Sequence, residues 1–202
     1  MAITTCVSAL SVRVTSWRLL IASVAMAATL SAAAVEQVDN VWALPGNWQA
    51  DTGRTMALSE LAGQTTIVAM FYTGCHVTCP VTVEAMQWLE QHLSDGQAKR
   101  CRFLLVTIDP GGDTPVVLRQ FRSELALSPR WTLLRGGRRE TRTLAESLGI
   151  NFEVGAYRTS HTTQLVVVDA QGRVMSKQGD LFPELRILLA KVESIGANTE
   201  CR

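Results

Sequence analysis

The chain lacks an excess of either charge: 19 Lys and Arg stand against 18 Asp and Glu, for a formal net charge of +1. Without concentrated positive charge there is nothing to hold a phosphate backbone, so nucleic acid is not an expected partner. Cysteine is scarce as well. Five in 202 residues are too few for a small disulfide-stapled scaffold, and their uneven placement needs its own explanation. Internal repeats, low-complexity tracts and interdomain linkers are missing. What remains, with 47% hydrophobic and 18% charged residues, is the balance of one ordinary globular core.

The positive mean hydropathy, +0.14, has a local source. Arg13 and Arg18 are the only charges before Glu36, and Leu19 to Ala34 is an uncharged apolar stretch that ends in small residues. A basic start, an apolar middle and an Ala-x-Ala end are the parts of a signal peptide, with the cut expected after Ala34. The stretch is slightly short for a spanning helix of about 20 residues, so an uncleaved N-terminal membrane anchor is the alternative. No Cys closes it to carry a lipid. Residues 1–34 are therefore expected to be a signal peptide or anchor, and residues 35–202 an exported domain, periplasmic or anchored facing the periplasm. Removing residues 1–34 leaves 168 and takes away two Arg, Cys6 and no acid, so the net charge becomes −1.

Along the mature chain, Thr65–Tyr72 and Cys101–Ile108 are continuous apolar and β-branched runs that predict buried strands. After Pro80, the apolar positions Val83, Met86, Leu89 and Leu93 recur at helical spacing. Thr114-Pro115 reads as a helix start, a hydroxyl cap followed by Pro at the first position. Glu140–Leu148 predicts a helix closed by Gly149, Gln164–Asp169 a third strong strand, Arg173–Lys177 its hairpin partner, and Phe182–Ser194 a last helix. Strands alternating with helices, then a hairpin and a helix, predict an α/β sandwich with a mostly parallel centre and one antiparallel edge. This order is that of the thioredoxin-like fold, a three-layer α/β/α sandwich around a mixed sheet.

The chemistry concentrates at Cys75-His76-Val77-Thr78-Cys79-Pro80, past the carboxyl end of the first long strand and at the start of a helix. Ligands of α/β sheets sit at that edge. Helix N–H groups and the helix dipole favour thiolate, the form that binds metals and attacks disulfides. Compared with the redox spacing Cys-x2-Cys, the extra residue lets both sulfurs converge on one ion and disfavours a tight disulfide without forbidding it. A metal pair is the leading reading; a redox pair and two unrelated thiols stay open. Two soft sulfurs favour Cu(I), with zinc the main competitor, and a third ligand is needed. The candidates are the three His: His76 inside the motif, His92 on the helix, and His161 ahead of the third strand, which is expected to run parallel to the strand before the Cys loop.

Phe71-Tyr72-Thr73-Gly74-Cys75-His76-Val77-Thr78-Cys79-Pro80, then Thr107-Ile108-Asp109-Pro110-Gly111-Gly112-Asp113-Thr114-Pro115, then His161 before Leu165-Val166-Val167-Val168-Asp169, resemble the Sco/SenC family of copper-binding proteins in order and spacing. The likeness covers roughly residues 58–189. It implies a thioredoxin-like fold, copper, as Cu(I), Cu(II) or both, held by Cys75, Cys79 and His161, and a part in assembling the CuA site of cytochrome c oxidase. The implied partners are a copper-accepting protein such as oxidase subunit II and a thiol-disulfide reductant. By the same resemblance, His161-Thr162-Thr163 stands where thioredoxin-like reductases carry a proline against the Cys pair, which favours metal over redox. One departure is His76, where the family commonly has proline.

Asp109 and Asp113 read as local loop and helix-capping acids, or else as an acidic docking patch. Cys101 reads as an inert core thiol, Cys201 as a tail residue, His92 as a solvated helix residue, and Trp42, Trp48, Trp88 and Trp131 as packing. The sequence thus predicts a copper chaperone rather than an enzyme. Its rival is a thiol-disulfide reductase that keeps an acceptor's cysteines reduced for metallation, with a peroxidase as a weaker third reading.

Overall fold

The computed structural model describes residues 39–154, 159–179 and 184–197, without the side chains at 154, 159–161, 196 and 197. The expected signal peptide or anchor, the start of the last helix and Cys201 lie outside the described residues. Among the described residues no helix is long and apolar enough to cross a membrane.

Two long strands form the middle of the sheet. All seven residues of β3 (Thr65–Phe71) are buried, and so are six of seven in β4 (Cys101–Thr107). Such runs have no polar face to offer water, so both faces must be covered. The sheet order is β2-β1-β5-β4-β3-β8-β9, with β1 at Trp48–Ala50, β2 at Thr55–Met56, β5 at Trp131–Arg135, β8 at Leu165–Val168 and β9 at Val174–Gln178. One face packs Met86 and Leu89 of α1 (Thr78–His92), Leu118 of α3 (Pro115–Glu124) and Leu188 of α5 (Leu185–Ala197). The other packs Leu144 and Leu148 of α4 (Arg138–Leu148) with Trp42, Trp48 and Leu58. This is the expected three-layer α/β/α arrangement. A short helix, α2 (Asp95–Ala98), follows α1.

Local signals act as read. Thr114 caps α3 by accepting the Val117 N–H at 3.4 Å, with Pro115 at the first position. Gly149, left-handed at φ 72°, closes α4.

Strand direction differs from expectation in two ways. Parallel pairing joins β5, β4 and β3, and antiparallel pairs flank them on both sides instead of one. The strand expected to run parallel to β3, β8, runs against it, with Thr66 opposite Val168 and Val68 opposite Val166. The cause lies in α4. A Cβ on Gly149 would meet Lys177 of β9, whereas the start of α4 follows directly from β5. The helix therefore carries the chain sideways across the sheet. Its 11 residues span about 16 Å, close to three strand spacings of about 4.8 Å between β5 and β8. The chain then enters β8 from the carboxyl edge of β3.

Between α4 and β8 the structure places a hairpin that the sequence pattern does not announce, β6 (Phe152–Val154) with β7 (Thr159–His161). It forms a separate two-stranded sheet in which Phe152 faces His161.

Candidate metal centre at the carboxyl edge of the sheet

The strand β3 delivers Tyr72-Thr73-Gly74 to the sheet edge, and a turn closed by the Cys75 N–H on the Tyr72 carbonyl, at 3.1 Å, presents the first thiol. Helix α1 begins at Thr78, so Cys79 is its second residue and Pro80 its third, within the one turn where Pro forfeits no bond. Cys79 is buried, Cys75 is half-buried, and His76, Val77 and Thr78 are exposed around them.

Helix α1 has no side-chain cap at Val77 and no acid in its first turn. Cys75 supplies the missing anion. Its Sγ accepts the Cys79 N–H at 3.3 Å and lies 3.3 Å from the Thr78 hydroxyl. Partial burial alone would raise its pKa, but hydrogen bonds from the Thr78 and Cys79 side chains and from the Cys79 and Val77 N–H groups outweigh that and hold it at about 6. Cys79 behaves oppositely. Burial, and then its hydrogen bond with Cys75, pushes it up to about 12. The two sulfurs thus lie within hydrogen-bonding reach, with the Cys75 pKa lowered and that of Cys79 raised. Burial, followed by the charges of Cys75 and Cys79, also raises the Tyr72 hydroxyl.

The support beneath the loop is Asp113, which is 2% exposed. Its carboxylate accepts the Thr73 N–H at 3.2 Å and the hydroxyls of Thr73 and Thr107. It is neither a helix cap nor part of a surface patch, because Thr114 alone caps α3 and the acid is turned inward to the residue two before Cys75. The spacing that sets it beside Thr114-Pro115 concealed this. The available signal was an acid between two apolar elements with no basic neighbour in the sequence. Asp109 is local, accepting the Gly112 N–H at 3.2 Å.

The backbone places His161 at the end of β7, and the Thr162 N–H donates to the Asn151 carbonyl at 2.9 Å. Because β8 runs against β3, the residues ahead of Leu165 continue past the carboxyl end of β3, the edge from which the Cys loop leaves. A parallel β8 would have put them at the far edge. The His161 side chain lies outside the description, and among the described residues no three His, Cys, Asp or Glu side chains cluster.

The other candidates fall where expected. His92 is exposed, stacked on Trp88 at 3.9 Å and bonded through Nδ1 to the Trp88 carbonyl. Cys101 is 3% exposed, and burial pushes its thiol up to about 12. Trp42, Trp48 and Trp131 are core residues.

The SCO1/SenC family model matches residues 45–195, three quarters of the chain and all of the elements that build this edge. The chain belongs to the SCO1/SenC family. A protein of Stutzerimonas stutzeri named for copper binding is 28% identical over 117 residues, 55% of this chain and 56% of its own. The chain spans about half the length of the curated relatives it matches. Among solved structures, Bradyrhizobium japonicum ScoI with copper bound matches at a TM-score of 0.64 and 20% identity, over 75% of this chain and 97% of that one. BsSco, described as having a disulfide switch and as a member of the Sco family of cytochrome c oxidase assembly proteins, matches at 0.65 and 21%, over 76% and 93%. These neighbours establish the thioredoxin-like Sco fold for this SCO1/SenC member.

Proposed function

We propose that the protein is a copper chaperone: it takes copper at Cys75, Cys79 and His161 and hands it by ligand exchange to an acceptor, with the CuA site of cytochrome c oxidase subunit II the leading candidate. The observation that carries this is the pair of sulfurs set together at an exposed helix start, with Cys75 Sγ accepting the Cys79 N–H. Two soft sulfurs suit Cu(I), and a neutral imidazole, being borderline, completes the site and tolerates Cu(II). Copper in ScoI and the name of the Stutzerimonas relative support the choice of metal over zinc. Half-burial of Cys75 and exposure of His76 and Val77 leave the site open to an acceptor's ligands. The role is binding and delivery in an exported domain. The test is a Cu(I) competition titration of the reduced protein. One tightly held ion, weakened sharply by His161→Ala, supports the reading, and absence of stoichiometric copper rejects it.

One observation favours the thiol-disulfide reductase as a second role at the same atoms. A thiolate at about 6 beside a buried thiol at about 12 is an attacking sulfur with a protected resolving partner. Under this role Cys75 attacks an acceptor disulfide, and Cys79 releases the mixed disulfide, leaving Cys75–Cys79 oxidised and the acceptor reduced by two electrons. His161→Ala leaves that exchange largely intact, which separates the two roles.

A further inference from the structure

The Cys loop is built into the main sheet, whereas His161 stands on a hairpin that shares no strand with it. Two strands of three residues are marginal by themselves, so something must hold the hairpin to the domain. Two contacts do so, and a third bond closes the hairpin on itself. Ile150, ahead of β6, is buried against α4 with its N–H on the Ala145 carbonyl at 2.8 Å. The Thr162 N–H closes the base of the hairpin on Asn151. Phe152 packs on the core beneath α4, and the Arg142 guanidinium lies 5.2 Å over its ring. Phe152 is also the cross-strand partner of His161. Beside this contact a cleft of about 580 Å³, lined by Arg142, Glu146, Asn151, Phe152 and Thr162 among others, leaves room for the hairpin to shift if the contact is lost.

We propose that Arg142 and Phe152 are the positioning residues of the His161 hairpin: the cation over the ring latches β6 to α4, and through the Phe152–His161 register it fixes the backbone that presents the imidazole. The inference rests on the reading of His161 as a copper ligand. The latch sets how tightly copper is retained and how readily it is released, without touching the metal. A cation over an aromatic ring at a partly exposed site predicts that Arg142→Ala weakens Cu(I) retention about two- to five-fold. Phe152→Ala, which removes the anchor itself, weakens it by about tenfold or more, in the range of other supporting partners of metal ligands. Arg142→Lys keeps the cation and restores most of the loss.

The test is Cu(I) competition on the whole reduced protein for Arg142→Ala, Arg142→Lys and Phe152→Ala, each with and without His161→Ala. Amide hydrogen exchange of Phe152, His161 and Thr162 is followed in the copper-free proteins. The expected result is faster hairpin exchange in Arg142→Ala and Phe152→Ala, weaker retention in proportion, recovery with Lys, and no further loss once His161 is absent. Losses that persist in the His161→Ala background place the effect elsewhere and overturn the inference. Wild-type retention in Arg142→Ala and Phe152→Ala, with His161→Ala still weakened, overturns the inference and leaves the ligand reading standing. Wild-type retention in His161→Ala overturns the ligand reading itself.

Discussion

The Cys loop and the His161 hairpin lie toward the same edge of the sheet but are held by different means. The loop hangs from β3, which has a hydrogen-bonded neighbour on each side, and is clamped by a buried carboxylate that accepts three donors. Among the described residues the strands of the hairpin pair with each other alone, and Phe152 and Ile150 hold it to the domain. With His161 as the third ligand proposed above, one half of the site is held by the main sheet and the other by the hairpin's own contacts. A carrier benefits from that inequality, since ligand exchange requires one protein ligand to leave while the others keep hold of the ion. On this view the sulfurs retain and the hairpin releases.

The comparison breaks most completely if the sulfur half is removed. Cys75→Ser or Cys79→Ser should abolish stoichiometric Cu(I) binding in a competition titration, because one soft ligand and an imidazole do not hold the ion. His161→Ala should cost less than either, leaving a two-sulfur complex that loses copper to competitors the wild type resists. If it instead equals the Cys variants, the two halves are not unequal. Asp113→Asn strikes the clamp from beneath. Replacing a buried acceptor of charged hydrogen bonds is expected to cost about 2–4 kcal/mol in denaturant unfolding of the copper-free protein, and to weaken copper about 10- to 100-fold as a supporting partner. The smallest effect sharpens the sulfur pair itself. Thr78→Ala removes one bond to the Cys75 thiolate, so the midpoint of Cys75 alkylation, near pH 6 in the wild type, should move up, while Cys79 stays unreactive through neutral pH.

The same shifts predict opposite pH effects on stability. Cys75 is an acid whose folded pKa lies below its ordinary value near 9, so the folded state binds fewer protons than the unfolded chain between about 6 and 9. Its contribution is complete above that window and is lost as pH falls through about 6. Cys79 and Cys101 sit near 12, above their ordinary value, so their contributions are complete below about 9 and are lost as pH rises toward 12. Urea unfolding of the reduced protein across this range checks both signs: Cys75→Ser removes the acid limb and also reduces the Cys79 part of the alkaline limb, while the Cys101 part stays.

Much of the frame was legible from residues. Thr65–Phe71 and Cys101–Thr107 are short, continuous apolar and β-branched runs that suit buried strands, and Thr114-Pro115 and Gly149 act locally, where the sequence speaks directly. The direction of β8 was not legible. Leu165–Val168 reads the same whichever way it runs, and the decision lies in where α4 sets the chain down. The Cys pair was visible because its spacing and helix start are neighbours in sequence. Asp113 was not, because its partner Thr73 lies 40 residues away and its nearer neighbours suggest a cap. The hairpin escaped because Phe152–Val154 and Thr159–His161 are too short for any period to register.

The reversed strand also bears on how the chain reaches its native state. On one side β3 pairs with residues 36 positions away, Thr65 with Cys101, and on the other with residues 102 positions away, Thr66 with Val168. Closure entropy and contact order both put the longer pairing later. A half-folded chain therefore has β4 in place, and the Cys loop formed at the end of β3, while the opposite flank of β3 is still an open edge. For a chain that folds where oxidant is present this is a race: β8 is to zip onto β3 before oxidant or a stray thiol reaches the Cys75 and Cys79 sulfurs.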